Sequence, residues 1–141
     1  MSQVQEFSAI ARAIIDSNLY MVLGTADEAG CPWVTPVYYA SANYKEFYSV
    51  SSLEAQHSRN ITIRPQISIV IFDSQVPINT GQAVYMSAVA EALMGGDLDR
   101  GLDIYSRSGA CPWRARMEGR RRSGTRCQAL VSSNYIGTLG S

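Results

Sequence analysis

The stretch LYMVLGTADEAGCPWVTPVYYA, residues 19–40, decides the fold of this chain. Two runs rich in strand-forming residues, 19–26 and 32–40, flank the turn sequence Asp27-Glu28-Ala29-Gly30, which predicts a β-hairpin. Pro36 has no N–H to donate to a ladder, so it indicates that the second strand lies at a sheet edge or contains a bulge.

The sequence around this hairpin continues mainly in strands. Further strands are predicted at residues 46–51, 67–71, 83–93 and 127–139. Because these strands follow one another with short connections, they favour an antiparallel sheet over βαβ units. Closing such a sheet into a barrel would remove most of its exposed edges. The expected fold class is therefore mainly β with short helices, an α+β antiparallel barrel.

Three short helices are predicted to accompany the sheet. Apolar residues at helical spacing from Val4 to Ile15 indicate the first, which ends near Asp16. Ser51 and Glu54 have the spacing of a capping box, so a second helix is expected to begin there and to stop before Pro65. Asp97 is expected to cap a third helix.

Composition narrows the classes of protein that this chain could be. The 141 residues suit one domain, with 46% hydrophobic and 17% charged residues. The net charge is zero, which argues against a nucleic-acid partner. Three cysteines without a CxxC pair signal neither a zinc site nor a disulfide framework. With no apparent signal peptide or membrane span, we expect a cytoplasmic protein with reduced thiols.

The charge is unevenly distributed along the chain. Six of the twelve Lys and Arg residues lie between Arg114 and Arg126. We therefore separate residues 1–110, the expected barrel, from an Arg-rich segment, 111–141, that could supply a last strand. For the arginines at 120–122, a solvated tail is favoured over binding of phosphate groups.

Several short pieces of sequence, in this order and spacing, carry a family resemblance. They are Gly24-Thr25-Ala26, Pro32-Trp33-Val34-Thr35-Pro36-Val37, Phe47-Tyr48-Ser49-Val50-Ser51, His57-Ser58-Arg59-Asn60-Ile61, Arg64-Pro65 and Gly81-Gln82. Together they resemble the pyridoxamine 5′-phosphate oxidase-like family of FMN-binding split β-barrels. The resemblance implies a homodimer that holds FMN in two clefts at the subunit interface. The second strand would lie along the flavin ring, and the third strand and the helix after it would hold the phosphate.

Carried over residue by residue, the resemblance implies a set of cofactor-binding positions in the second and third strands, the second helix and the start of the fifth strand. They are Val34, Thr35, Pro36, Val37, Ser49, Val50, Ser51, His57, Ser58, Arg59 and Gln82. No catalytic side chain is predicted, because a flavin itself carries the redox chemistry. No metal ligand is predicted, since the cysteines lack the spacing of a metal site.

The chain departs from the true oxidases at positions that bind their cofactor. Trp33 and Tyr38 stand about where those enzymes carry Arg and Lys, and Gln56 and His57 stand where they carry a basic pair. The resemblance therefore implies an FMN-dependent oxidoreductase for an unknown small molecule rather than a pyridoxamine phosphate oxidase. Two alternatives stay open: a deazaflavin-dependent reductase, suggested by the C-terminal arginines, and a non-catalytic flavin- or haem-binding protein.

Each polar candidate also has an ordinary structural interpretation. His57 and Arg59 could contact phosphate near a helix start. His57 could equally be a surface histidine that touches nothing, and Arg59 could form a surface ion pair with Glu54 or Asp73.

The strand candidates have ordinary interpretations as well. Ser49 and Ser51 should share one face of their strand, either lining the cleft or facing solvent. Residues 34–37 read first as ordinary strand, and their functional interpretation rests on backbone groups near the flavin ring.

Overall fold

A computed structural model of the protein describes residues 2–108 and the backbone of residues 125–138. Over these residues the elements in chain order are α1 (Gln3–Ser17), β1 (Tyr20–Ala26), β2 (Pro32–Tyr38), β3 (Ala40–Ala42), β4 (Glu46–Ser52), α2 (Gln56–Ile63), β5 (Gln66–Phe72), β6 (Gln82–Ala92), α3 (Gly95–Arg107) and β7 (Thr125–Thr138). These strands form one antiparallel sheet in the order β2-β1-β5-β6-β7-β4-β3. The predicted α+β class with an antiparallel sheet is confirmed.

The β1–β2 hairpin forms as the sequence predicts. Its register runs from Tyr20 opposite Tyr38 to Ala26 opposite Pro32. Strand β2 lies at the sheet edge, as the proline in it requires. The turn is held from outside by Arg64, whose Nε and Nη2 donate to the carbonyls of Asp27 (2.8 Å) and Glu28 (3.1 Å).

The main core lies on one side of the curved sheet and under α1. Alternate residues of β1, β5 and β6 point into it, because successive strand residues face opposite sides. Val37 of the edge strand β2 and Phe47 of β4 belong to this same core, so the sheet curls to bring distant strands together. Tyr39 fixes α1 to the core with a 2.5 Å hydrogen bond from its hydroxyl to the Ile15 carbonyl, and burial raises the pKa of this phenol.

A second, smaller core lies between α3 and the other side of strands β3 and β4. Tyr48, Leu93 and Tyr105 are its largest buried members. Gly101 of α3 permits this contact, since an added Cβ would lie 2.6 Å from Leu93 Cδ1 and 3.1 Å from the Tyr48 ring. Strand β4 is therefore covered on both faces.

Two of the predicted helix starts are wrong. Strand β4 extends through Ser52, so Ser51 stays in the strand, and α2 begins after Ala55 without a cap from any described side chain. Helix α3 begins at Gly95, so Asp97 lies within the first turn instead of capping it. A carboxylate there still faces the positive end of the helix dipole favourably.

The remaining differences are small. The short strand β3 was not expected, and the last strand spans Thr125–Thr138 rather than residues 127–139. The arginines at 120–122 and Cys111 lie outside the described residues. Among the described helices, none is both long and apolar enough to cross a membrane.

Candidate functional site

The first turn of α2 follows β4 after a short connection and presents backbone N–H groups that have no partner among the described residues. The first bond across the helix start runs from Arg59 N to Ala55 O at 3.1 Å, so the N–H groups of Gln56, His57 and Ser58 precede it. Of the side chains that the structure describes, none caps this end. Such an end attracts anions, because the N–H groups and the helix dipole both favour negative charge.

His57 is buried beside this turn. It is only 7% exposed, and its Nε2 lies 2.8 Å from Ser51 Oγ. Burial lowers the pKa of the imidazole, so the neutral ring is favoured in the cofactor-free protein. The interpretation of His57 as a surface histidine that touches nothing is therefore wrong. Two of the predicted site residues, Ser51 and His57, do meet.

Two other candidate serines are buried without a partner. Ser58 Oγ in α2 and Ser49 Oγ in β4 form no hydrogen bond with any described residue. Ser49 is completely buried, so its interpretation as part of a solvated strand face is wrong. An unsatisfied buried polar group costs about 1–3 kcal/mol, so each of these hydroxyls requires a hydrogen-bond partner outside the described residues.

Arg59 lies on the exposed side of the same turn. Its Nη2 donates to Gln56 Oε1 at 3.0 Å. In the described part of the chain it pairs with neither Glu54 nor Asp73, the partners of its ordinary interpretation. The guanidinium therefore stays near the helix start with donors to spare.

A buried polar chain that sequence reasoning missed links α2 to the hairpin. Gln56 Nε2 donates to Asn60 Oδ1 (2.8 Å), and Asn60 Nδ2 donates to Thr25 Oγ1 (3.0 Å). Thr25 in turn donates to the carbonyl of Trp33 in β2 (3.4 Å). The only signal in the sequence was the spacing of four between the two carboxamides, which places them on one helix face.

The remaining predicted positions are spread over several surfaces. In β2, Val34 and Pro36 face away from the core, whereas Thr35 and Val37 face towards it. Val50 packs against the α3 cluster, on the opposite face of β4 from Ser49 and Ser51. Gln82 is exposed at the beginning of β6. Helix α2 contacts β2, but no side-chain hydrogen bond among the described residues joins these positions to the α2 turn.

The outer face of the β2-β1-β5-β6 sheet is apolar and open. Val34 is 66% exposed there, and the other large apolar residues with substantial exposure are Tyr20, Tyr38, Phe72, Tyr85 and Val89. Two grooves of about 840 and 690 Å³ lie on this face, the larger bordered by Val34 and the smaller by Pro36. A contiguous apolar patch of this kind marks an interaction surface. Within the described residues, no group of three His, Cys, Asp or Glu side chains could hold a metal ion.

Together, the curved antiparallel sheet and its three short helices define the class of small split-barrel proteins. The sequence model of the family described as pyridoxamine 5′-phosphate oxidase matches residues 7–123, and the chain belongs to this family. Proteins of this family commonly dimerise and bind small ligands, including flavin-type cofactors and haem. No curated protein sequence matches the chain.

Several solved structures share the fold. A haem-binding protein from Mycobacterium smegmatis is 24% identical, with a TM-score of 0.74 over 93% of this chain and 54% of its own length. The haem storage protein HutZ from Vibrio cholerae is 16% identical, with a TM-score of 0.73 over 98% of this chain and 95% of its own. An F420 reductase is 15% identical, with a TM-score of 0.64 over 89% of this chain and 94% of its own. The chain thus spans about half the length of the mycobacterial protein, and these identities establish the fold alone.

Proposed function

We propose that this protein binds FMN and works as a flavin-dependent oxidoreductase on a small organic molecule in the cytoplasm. One observation carries the proposal. Within four consecutive residues, the first turn of α2 carries N–H groups and a Ser58 hydroxyl that have no partner among the described residues, together with the guanidinium of Arg59.

These groups fit a phosphate monoester. Backbone N–H groups, a hydroxyl and a guanidinium can all donate, and a phosphate oxygen could satisfy the Ser58 hydroxyl, which has no partner among the described residues. His57 can add a charged donor if its proton returns when the anion binds. The flavin supplies the redox chemistry when bound, whereas these residues hold its phosphate and β2 aligns its ring.

The proposal includes a homodimer that buries the apolar outer face of the sheet. That face carries exposed tyrosine, valine and phenylalanine side chains which a second copy would cover. Strand β7 joins the sheet between β4 and β6, which supports the proposed role of segment 111–141 in completing the barrel formed by residues 1–110. A solution mass equal to a single chain at tens of micromolar would contradict the dimer.

Haem and a deazaflavin are the alternative cofactors. Each alternative is supported by structural neighbours, which are described as haem-binding or haem storage proteins and as an F420 reductase. However, His57 is the only histidine of the chain, and its Nε2 is already engaged by Ser51 in a buried position. A histidine-ligated haem would have to displace that side chain, so FMN is the better fit to α2. The deazaflavin alternative rests on the arginines at 120–122, outside the described residues.

The experiment that tests the proposal compares FMN with riboflavin, which has the same ring but no phosphate. Arg59→Ala should weaken FMN binding about tenfold or more, because a charged hydrogen bond contributes about 1.5–3 kcal/mol. Riboflavin affinity should hardly change. Arg107→Ala, which removes an exposed arginine paired with Asp103 on α3, is the matched control and should leave both affinities unchanged.

Two results would contradict the proposal. Wild-type protein without measurable affinity for FMN at micromolar concentrations would exclude the cofactor. Equal weakening of FMN and riboflavin by Arg59→Ala would show that the residue supports the fold or the ring site instead of the phosphate.

A further inference from the structure

A buried chain of side-chain hydrogen bonds ties the first turn of α2 to the β1–β2 hairpin. Its central member is Asn60, which is 1% exposed. Both polar atoms of its carboxamide are engaged: Oδ1 accepts from Gln56 Nε2 at 2.8 Å, and Nδ2 donates to Thr25 Oγ1 at 3.0 Å. Thr25 is also buried, so the bond between Asn60 and Thr25 is shielded from competing water.

The two ends of this chain lie at the two halves of the proposed cofactor site. At one end, Gln56 Oε1 accepts from Arg59 Nη2, which we assign to the phosphate. At the other end, the Thr25 hydroxyl donates to the Trp33 carbonyl, one residue before Val34 in the strand assigned to the flavin ring. The chain therefore sets the position of the phosphate-binding turn relative to the ring-binding strand.

We propose that Asn60 is a positioning residue that fixes the spacing between the phosphate and ring halves of the site. This inference rests on the proposed function. A ligand with both a ring and a phosphate gains from the two contacts together only when the protein already holds them at the matching separation. If the buried chain is cut, the phosphate half should stop adding its full share to the affinity. A ligand with a ring alone should be affected much less.

The test measures dissociation constants for FMN and riboflavin in wild type, Thr25→Val and Thr25→Ser. Valine keeps the branched shape of threonine and removes the hydroxyl that Asn60 and Trp33 share, whereas serine keeps the hydroxyl. The ratio of the riboflavin constant to the FMN constant should fall about fivefold or more in Thr25→Val, the effect of losing roughly one hydrogen bond. In Thr25→Ser the ratio should stay at the wild-type value.

Each other outcome overturns a defined statement. If Thr25→Val lowers both affinities by the same factor, or neither, Asn60 only supports the fold and the inference is wrong, while the proposed function stands. If wild type itself does not distinguish FMN from riboflavin, the phosphate site fails and the inference fails with it.

A second variant covers the case in which Thr25→Val does not fold. Gln56 is only partly buried, and Gln56→Met removes its bonds to Asn60 and Arg59 while keeping a side chain of similar length. We expect Gln56→Met to lower the ratio by the same factor whether it is introduced alone or into the Arg59→Ala variant. In that second case the fall cannot come from a changed orientation of Arg59, because the guanidinium is absent. An unchanged ratio there would overturn the role of the chain through Asn60.

Discussion

Replacing His57 by Gln should remove one specific pH dependence from the stability of the cofactor-free protein. The imidazole is 7% exposed, and burial lowers the pKa of His57 below its ordinary value of about 6.5. The unfolded chain therefore takes up this proton at a higher pH than the folded protein does. The contribution of the neutral ring is complete above the unfolded pKa and is lost as the pH falls towards the folded one.

The size of the effect is set by the one proton that the unfolded chain binds at His57 and the folded protein does not. One proton changes the free energy of unfolding by no more than about 1.4 kcal/mol per pH unit. The unfolded imidazole is half protonated at about pH 6.5, so proton uptake between pH 7.5 and 5.5 amounts to about one pH unit at the full slope. Wild type should therefore lose up to about 1.4 kcal/mol through His57 over this interval. Glutamine does not titrate, and its amide can still reach the Ser51 hydroxyl that now contacts Nε2 at 2.8 Å.

The assay is urea unfolding at pH 7.5, 6.5 and 5.5. The difference in free energy of unfolding between wild type and His57→Gln cancels the contributions of the carboxylates, and it should shift against wild type as the pH falls. Ser51→Ala should instead lower stability by about 0.5–1.5 kcal/mol at each of the three values. A difference that is independent of pH, or that favours wild type in acid, would refute the assignment of a buried neutral imidazole.

FMN should act on the same group in the opposite direction. A phosphate near the ring favours the charged imidazole, so the pKa of His57 should be higher with FMN bound than without it. An NMR titration of the His57 ring protons measures this pKa directly, and riboflavin provides the comparison without phosphate. A His57 pKa that FMN leaves unchanged would place the phosphate away from His57.

Three further changes test other parts of the structure. Arg64→Ala should lower the free energy of unfolding by about 1 kcal/mol and speed amide exchange in the β1–β2 turn, because two hydrogen bonds to that turn disappear. Unchanged exchange would show that Arg64 does not stabilise the turn. Gly101→Ala should lower the free energy of unfolding by about 1–2 kcal/mol in urea titrations, because the cost of overpacking exceeds the gain in helix propensity. Gly96→Ala is the control and should not destabilise the protein, since the space around Gly96 is open. Val34→Glu should convert the proposed dimer to a folded monomer in sedimentation experiments, because the side chain is 66% exposed on the apolar face; a dimer that persists would move the interface elsewhere.

Local patterns in the sequence were sufficient for most of the fold. The alternation of Ile67, Ile69 and Ile71 and the turn at residues 27–30 each specify an element through neighbours only a few residues away. The helix starts were harder, because a cap depends on where the preceding strand ends. Ser51 has the sequence signature of a cap, but its pairing with β7 keeps β4 extended through Ser52.

Only part of the candidate site could be predicted from the sequence, because several of its contacts depend on how distant segments pack. The meeting of Ser51 with His57 joins residues six apart and could be anticipated from their position around one short connection. The bond between Asn60 and Thr25 joins residues 35 positions apart, and it exists only because α2 packs on the hairpin. Burial of Ser49 and His57 likewise comes from the surrounding strands and helices, which no local pattern reveals.

The position of β7 has a consequence for how the chain folds as it is synthesised. Residues 125–131 pair with β4 and residues 128–138 pair with β6, so this one strand joins the β3–β4 ribbon to the rest of the sheet. Among the described strands, β4 has only the three-residue β3 as a partner until residues 125–131 are made. The edge of β6 that β7 later occupies is likewise unpaired while residues 93–124 are made. A nascent chain at that stage exposes two edges that can pair with another chain. Translation that stops before residue 125 should therefore yield an aggregating product rather than a smaller folded barrel.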